Sequence, residues 1–264
     1  MSSTNSLTVT NPQPSQQSVR ARRPWKWFAV ASGFIVFGCI VFASVGPTTT
    51  DTHHQAFDGA VNQLIVDVDG DVAITAGDTT NVTVVREWAL YGAPTTDLAM
   101  ESGILSVTGV CPAFAAQCTT NVTATVAPDA EVVVKTSGGA ITVSGSGEGV
   151  DLSSSGGQVE VSDVYGPARL ITSAGSIRGS LLGGDVDAKT SAGNIDLTVS
   201  GSFERLSAVT SAGSVDLTVP DDVYLVDADT SAGQVHSDVR TDPNASKLIT
   251  ARSSAGDVTL AAAS

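Results

Sequence analysis

The chain has 264 residues, with 13 Lys plus Arg against 27 Asp plus Glu and a formal net charge of −14. Aromatics are 5%, charged residues 15%, and Gly reaches 26 amid recurring Ser, Thr and Val, which excludes a helical bundle and favours an all-β chain with Gly-marked turns. Residues 51–264 hold all 27 acids beside 9 basic groups, a net of −18. A body this acidic repels phosphate backbones, so no nucleic acid is expected among its partners.

Residues 1–24 are Ser, Thr, Asn, Gln and Pro with almost nothing apolar to bury, and are expected to form a disordered tail. Residues 25–46 read as a transmembrane signal-anchor helix. Their core, Phe28 to Val45, is 18 residues without a charge, and at ~1.5 Å per residue it covers ~27 Å, close to a hydrocarbon core of ~30 Å. Trp25 and Trp27 suit the headgroup layer, and Arg20, Arg22, Arg23 and Lys26 place the tail in the cytoplasm and the body outside. The alternative is a cleaved signal peptide, for which Ala43-Ser44-Val45 is a poor cleavage site. Cys39 in this run reads as a small buried thiol rather than a lipid-attachment site. Residues 47–56 read as a stalk, and His53 and His54 in it as a solvated pair, since no further ligand stands at metal-binding spacing.

The exported body, 57–264, opens with strands of irregular spacing at Leu64–Thr75, Asn81–Trp88, Ile104–Gly109 and Asn121–Val126. They are expected to form wider first coils that cap the membrane-proximal end. Cys111 and Cys118 are the only cysteines of this part. Outside the reducing cytosol such a pair predicts a disulfide, contributing about 2.5 kcal/mol in the chain-entropy model.

An internal repeat then takes over. Seven turns of the form (Thr/Ser)-Ser-(Ala/Gly)-Gly-x-(Val/Ile) begin at Thr136, Ser154, Thr172, Thr190, Thr210, Thr230 and Ser253, spaced 18, 18, 18, 20, 20 and 23 apart. Apolar residues stand two and four positions before each turn, as in Val132 and Val134, and five and mostly seven after its first residue, as in Leu217. Polar residues fill the positions between, which puts one face inside and one in water. Five residues of strand, a four-residue turn, five of strand and a four-residue corner make 18. Each unit is therefore one two-strand coil of a β-solenoid, with regular coils at about 132–263. The longer units place their extra residues at one corner, Pro220–Leu225 and Arg240–Leu248, where projecting segments often meet partners. The hydroxyls of the turn column lie on the inward face by parity and need partners there.

VDVDGDVAI (Val66–Ile74) followed by TSAG-x-V-x-L repeats, behind one apolar segment, resembles the DUF4097 family of bacterial adhesin-like proteins. The resemblance covers roughly Phe57 to Ser264. It implies a surface β-solenoid associated with adhesion or envelope-stress modules, and it carries over no catalytic residue.

The reading favoured is a single-pass membrane protein displaying a non-catalytic binding or structural module at the cell surface. It has no cofactor, no metal site and no catalytic residue. Its rivals are a glycan-processing enzyme on a β-helix scaffold and an envelope-stress component. The acidic pairs Asp185/Asp187 and Asp227/Asp229 and the run Asp67/Asp69/Asp71 suit calcium or acid–base chemistry. They also suit a solvated strand face, and no motif fixes them beside a His or a basic group. Finally, the last coil, Ile249 to Ala263, has nothing after it to cover Val258 and Leu260. That end is expected to contact a surface partner or a second copy.

Overall fold

The computed structural model describes residues 48–263, apart from 90, 91, 114 and 116. The tail and anchor expected over 1–46 lie outside these residues, and among those described no helix is long and apolar enough to cross a membrane.

The strands nearest the N-terminus are β1 (Thr48–Phe57), β2 (Gln63–Val68), β3 (Val72–Ala76), β4 (Thr80–Ala89), β5 (Thr95–Glu101), β6 (Ile104–Val110) and β7 (Cys118–Val126). The regular coils follow as β8 (Glu131–Thr136), β9 (Ile141–Ser144), β10 (Val150–Ser154), β11 (Val159–Val164), β12 (Ala168–Thr172), β13 (Ile177–Leu181), β14 (Val186–Ala192), β15 (Ile195–Val199), β16 (Arg205–Ala212) and β17 (Val215–Val219). The last are β18 (Val223–Thr230), β19 (Val235–Ser237), β20 (Arg240–Thr241), β21 (Leu248–Ala255) and β22 (Val258–Ala262). They make two 11-stranded sheets, and each regular coil gives one strand to each.

Neighbouring coils pair parallel and in register: Val150 lies beside Val132 and Ala168, and Ile195 beside Ile177 and Val215. The inward columns are buried almost completely, from Val132 and Val134 through Leu170 and Ile195 to Leu217. The core is thus a ladder of like residues between the two sheets. A coil has no interior of its own, so stacking supplies the burial.

The turns show why glycine recurs. A Cβ on Gly157, Gly175 or Gly193 would overlap the carbonyl oxygen of the glycine one coil back, Gly139, Gly157 or Gly175. Close backbone approach, more than an unusual φ, excludes every other residue there.

The structure reorders the ends of the stack. One sheet runs β15-β17-β22-β19 and the other β14-β16-β21-β18-β20. The C-terminal coil, β21 with β22, is therefore inserted between the β16/β17 coil and the β18/β19 coil. Val258 and Leu260, expected at an open end, are 0% exposed and pair with Val215 and Leu217 on one side and Val235 and Ser237 on the other. The physical reason lies in the inner columns. The last coil points Ile249, Ala251, Val258 and Leu260 inward, whereas the penultimate one has Ser237 where the other has Leu260. The more apolar coil takes the position buried on both sides.

The first coil behaves alike. β2 and β3 lie between the β6/β7 coil and the β8/β9 coil. Beyond β7, β4 and then β1 add antiparallel, and β5 adds antiparallel to β6. The stretch expected to be a stalk, 47–56, is thus almost wholly strand: β1 pairs with β4 at ten positions, from Thr48–Ala89 to Phe57–Thr80. A polar edge strand lacks the period-two signal of a half-buried one, which is why composition suggested a linker.

Candidate functional site

Six of the seven turn hydroxyls are buried, and Thr230 is half-buried, as their parity required. Each donates to a glycine carbonyl of the adjacent coil at 2.8–3.0 Å: Thr136 to Gly70, Ser154 to Gly139, Thr172 to Gly157, Thr190 to Gly175, Thr210 to Gly193, Ser253 to Gly213 and Thr230 to Gly256. Thr136, Ser154 and Thr172 also accept the amide of the glycine three residues on, at 2.8–3.2 Å. The column is a structural lace between coils, and it follows spatial order: Ser253 reaches back past Thr230 to Gly213.

The variable turn position forms a second lace. Asn121 Oδ1 accepts the Asp71 amide, Asp71 Oδ1 the Ala140 amide, Asn194 Oδ1 the Ser214 amide and Asp257 Oδ1 the Gln234 amide, at 2.8–3.0 Å. Asp69 accepts from the Ser137 hydroxyl at 2.6 Å and the Cys111 amide at 3.1 Å. The acids of Asp69 and Asp71 therefore tie backbone together. Among the described residues no group of three His, Cys, Asp or Glu side chains stands close enough to hold a metal ion. Cys111 and Cys118 are joined by a disulfide, with their Cα atoms 5.8 Å apart.

The strongest candidate site is a groove of about 460 Å³ along the corner where the chain enters β8, β10, β12, β14 and β16. Its lining is apolar at Val150, Pro167, Ala168 and Val186 and charged at Glu131, Glu148, Asp151, Arg169, Asp185, Asp187 and Arg205. Register creates it. Parallel pairing sets Asp151 beside Arg169, and Arg169 beside Asp187, so the outward column alternates in charge. Arg169 Nη1 donates to Asp151 Oδ1 at 3.2 Å, and Lys189 Nζ to Asp187 Oδ2 at 2.8 Å. Asp185 Oδ1 accepts the amides of Glu204 and Arg205, both at 2.9 Å, while the Arg205 guanidinium stands 3.6 Å from Oδ2. Asp185 also borders a second opening of about 590 Å³ that reaches Phe203 and Lys247 at the inserted corners.

Those corners are anchored from below. The Phe203 and Tyr224 rings stack with centroids 5.6 Å apart, and the Tyr224 hydroxyl donates to the Pro220 carbonyl at 2.8 Å. The structure thus unites Asp185 and Asp187 with three basic groups, a cluster not evident from the sequence. Writing the coils one above another would have exposed it, because Asp151, Arg169 and Asp187 are spaced by 18. Asp227 lies apart from the groove and pairs with Arg252 at 2.5 Å.

The fold is a two-sheet stack of coils, and in this chain it carries a charged corner groove. The chain belongs to the Toastrack DUF4097 family, whose match spans residues 95–263 and leaves β1 to β4 outside it. Solved structures similar to it include a candidate adhesin from Bacteroides fragilis, at 13% identity and TM-score 0.46, covering 81% of this chain and 97% of that one. Another, from Parabacteroides distasonis, has 14% identity and TM-score 0.43 and covers 83% and 98%. A candidate cell adhesion protein from Clostridium sporogenes has 8% identity and TM-score 0.38 and covers 81% and 100%. No curated protein matches the sequence.

Proposed function

We propose that this chain is a single-pass membrane protein whose coil stack lies outside the cell and acts as a non-catalytic, adhesin-like binding module. The apolar run Phe28–Val45 behind a basic cluster supports the anchor and its orientation. The observation that carries the binding role is the corner groove. It crosses five coils, and its ion pairs are surface pairs whose side chains keep 37–72% of their exposure. Exposed pairs of this kind are worth about 0–1 kcal/mol each, so a ligand exchanges partners with them at little cost. The geometry suits an extended ligand rich in hydroxyl and amide groups, laid across the coils against alternating acids and guanidinium groups.

The test is adherence of cells displaying the full chain to immobilised glycans and matrix proteins. Arg169→Ala with Arg205→Ala is expected to lose most of the adherence while surface display and protease resistance stay unchanged. Adherence equal to the parent would overturn the assignment of the groove.

A further inference from the structure

We propose that two copies of this chain associate through β1, in antiparallel register about Thr52. β1 is the outermost strand of its sheet, and among the described residues nothing pairs with the backbone of its far side. Its sheet extends β3-β7-β4-β1 while the facing sheet extends only β2-β6-β5, so β1 overhangs with no strand opposite it. Nearly all of its residues are exposed or half-exposed on both faces.

The other free edges are protected: β19 and β20 have three and two residues, and β5 carries Asp97 and Glu101. Natural edges are blunted in these ways, by shortness, charge, lysine or proline. β1 has ten residues, no lysine and no proline, and a single acid, Asp51, already paired with Arg86.

Two-fold symmetry and charge select the occupant. In an antiparallel pair related by a two-fold axis through the sheet, residues of equal parity oppose each other. Centring on Thr52 sets Asp51 opposite His53 of the second copy, twice, and Thr49 opposite Gln55. Centring on Asp51 would oppose two carboxylates, and centring on His53 would set Asp51 opposite Gln55 and the two His53 rings against each other. A body with a net of −18 over residues 51–264 meets its own kind most easily where acids are scarce and imidazoles present, which is at β1.

Cysteine cross-linking in membranes tests this on the full chain, with Cys39→Ser removing the one cysteine outside the Cys111–Cys118 disulfide. Thr52→Cys, lying on the axis, is expected to form covalent dimers rapidly under mild oxidation, because opposed strand positions stand about 5 Å apart at Cα. Thr49→Cys and Gln55→Cys are each expected to stay monomeric alone and to cross-link when the two chains are co-expressed. His53→Glu in the Thr52→Cys chain should abolish the dimer, and His53→Lys should keep it. Equal cross-linking at positions 49 and 52, cross-linking at neither, or indifference to His53→Glu would each overturn the proposal. Because the co-expressed pair leaves Thr52 intact, a folding defect in one variant does not decide the outcome.

Discussion

The two ends of the coil stack solve the same problem in opposite ways. At the end formed by the N-terminal strands, pairing changes from parallel to antiparallel, and Phe57, Leu98 and Met100 pack across the core. At the other end the β18/β19 coil stays parallel and brings Val226 and Ala228, partly buried, and Val235, 45% exposed, to the inward columns, with Tyr224 buried at its corner beside Phe203. Bulky side chains and reversed strands close the first end to further coils. The second remains a coil with small inward residues and a short edge. Yet both ends share one device, in which the terminal coil of the chain is inserted one layer inside. Fraying of the C-terminal coil then requires the β18/β19 coil outside it to open first, whereas at the other end β1, the first described strand, lies outermost.

The comparison breaks most readily at the C-terminal coil. Leu260→Ala is expected to cost about 2–4 kcal/mol, as for a leucine buried on every side, whereas Val235→Ala should cost less than about 0.5 kcal/mol. Denaturant midpoints with unchanged slopes provide the measurement. Equal, small effects would mean that the chain stacks in sequence order and that Leu260 lies at the surface.

Glycine substitutions sharpen the same contrast. Gly157→Ala sets a Cβ against the Gly139 carbonyl within a coil held from both sides, and about 2–3 kcal/mol is expected. Gly233→Ala meets the Gly256 carbonyl in the same way, but beyond its coil only the two-residue β20 stands among the described residues, so the coil can lift away. A loss of about 1 kcal/mol is expected there. Gly138→Ala, whose Cβ meets nothing within 4 Å, serves as the control and should leave the thermal midpoint unchanged.

Coil period, turn chemistry, inward columns and the disulfide were all legible, because each depends on residues close in sequence or on the parity of one strand. Coil order was not. Every coil presents nearly the same columns, so Val258 beside Val215 and Val258 beyond Val235 look alike locally. The distinguishing information is the Ser at 237 and the long corner before β21, which lets the chain step back over one coil. The groove was half legible: Asp185 and Asp187 stood out as acids, but the guanidinium groups beside them, Arg169 and Arg205, come from the coils on either side. β1 was illegible because TTTDTHHQAF has no apolar alternation, and it is a strand only because β4 offers it an edge.

Hydroxyls give a smaller and sharper comparison. Thr210→Val removes the donor to Gly193 and is expected to cost about 1–2 kcal/mol. The same change at Thr120, near the closed end, should be neutral or slightly stabilising. Thr120 is fully buried, and its hydroxyl has no partner among the described residues. Burying a methyl instead removes a desolvation cost. Matching losses at both sites, measured by chemical denaturation, would show that Thr120 is satisfied in solution.

The smallest effect expected lies at the corner of the open end and depends on pH. Asp222 accepts a hydrogen bond from Lys247 and another from the Val223 amide at 2.7 Å, and these hold its carboxyl below the ordinary aspartate value of 3.8. A carboxylate whose folded-state pKa is depressed releases its proton more readily when folded, so its contribution to stability is fully present above the ordinary value. That contribution fades as pH falls from about 4 through the lower folded value, where protonation removes the acceptor. The corner that leads into β18 should therefore loosen in acid before the antiparallel end does, with the Val223 amide exchanging faster at pH 3 than at pH 5 relative to amides of β4. Asp222→Asn keeps an acceptor oxygen but cannot titrate, so it should flatten this difference. If Val223 and the β4 amides gain exchange rate in parallel in both proteins, the acid response belongs to the whole stack, and the open end has no acid-sensitive latch of its own.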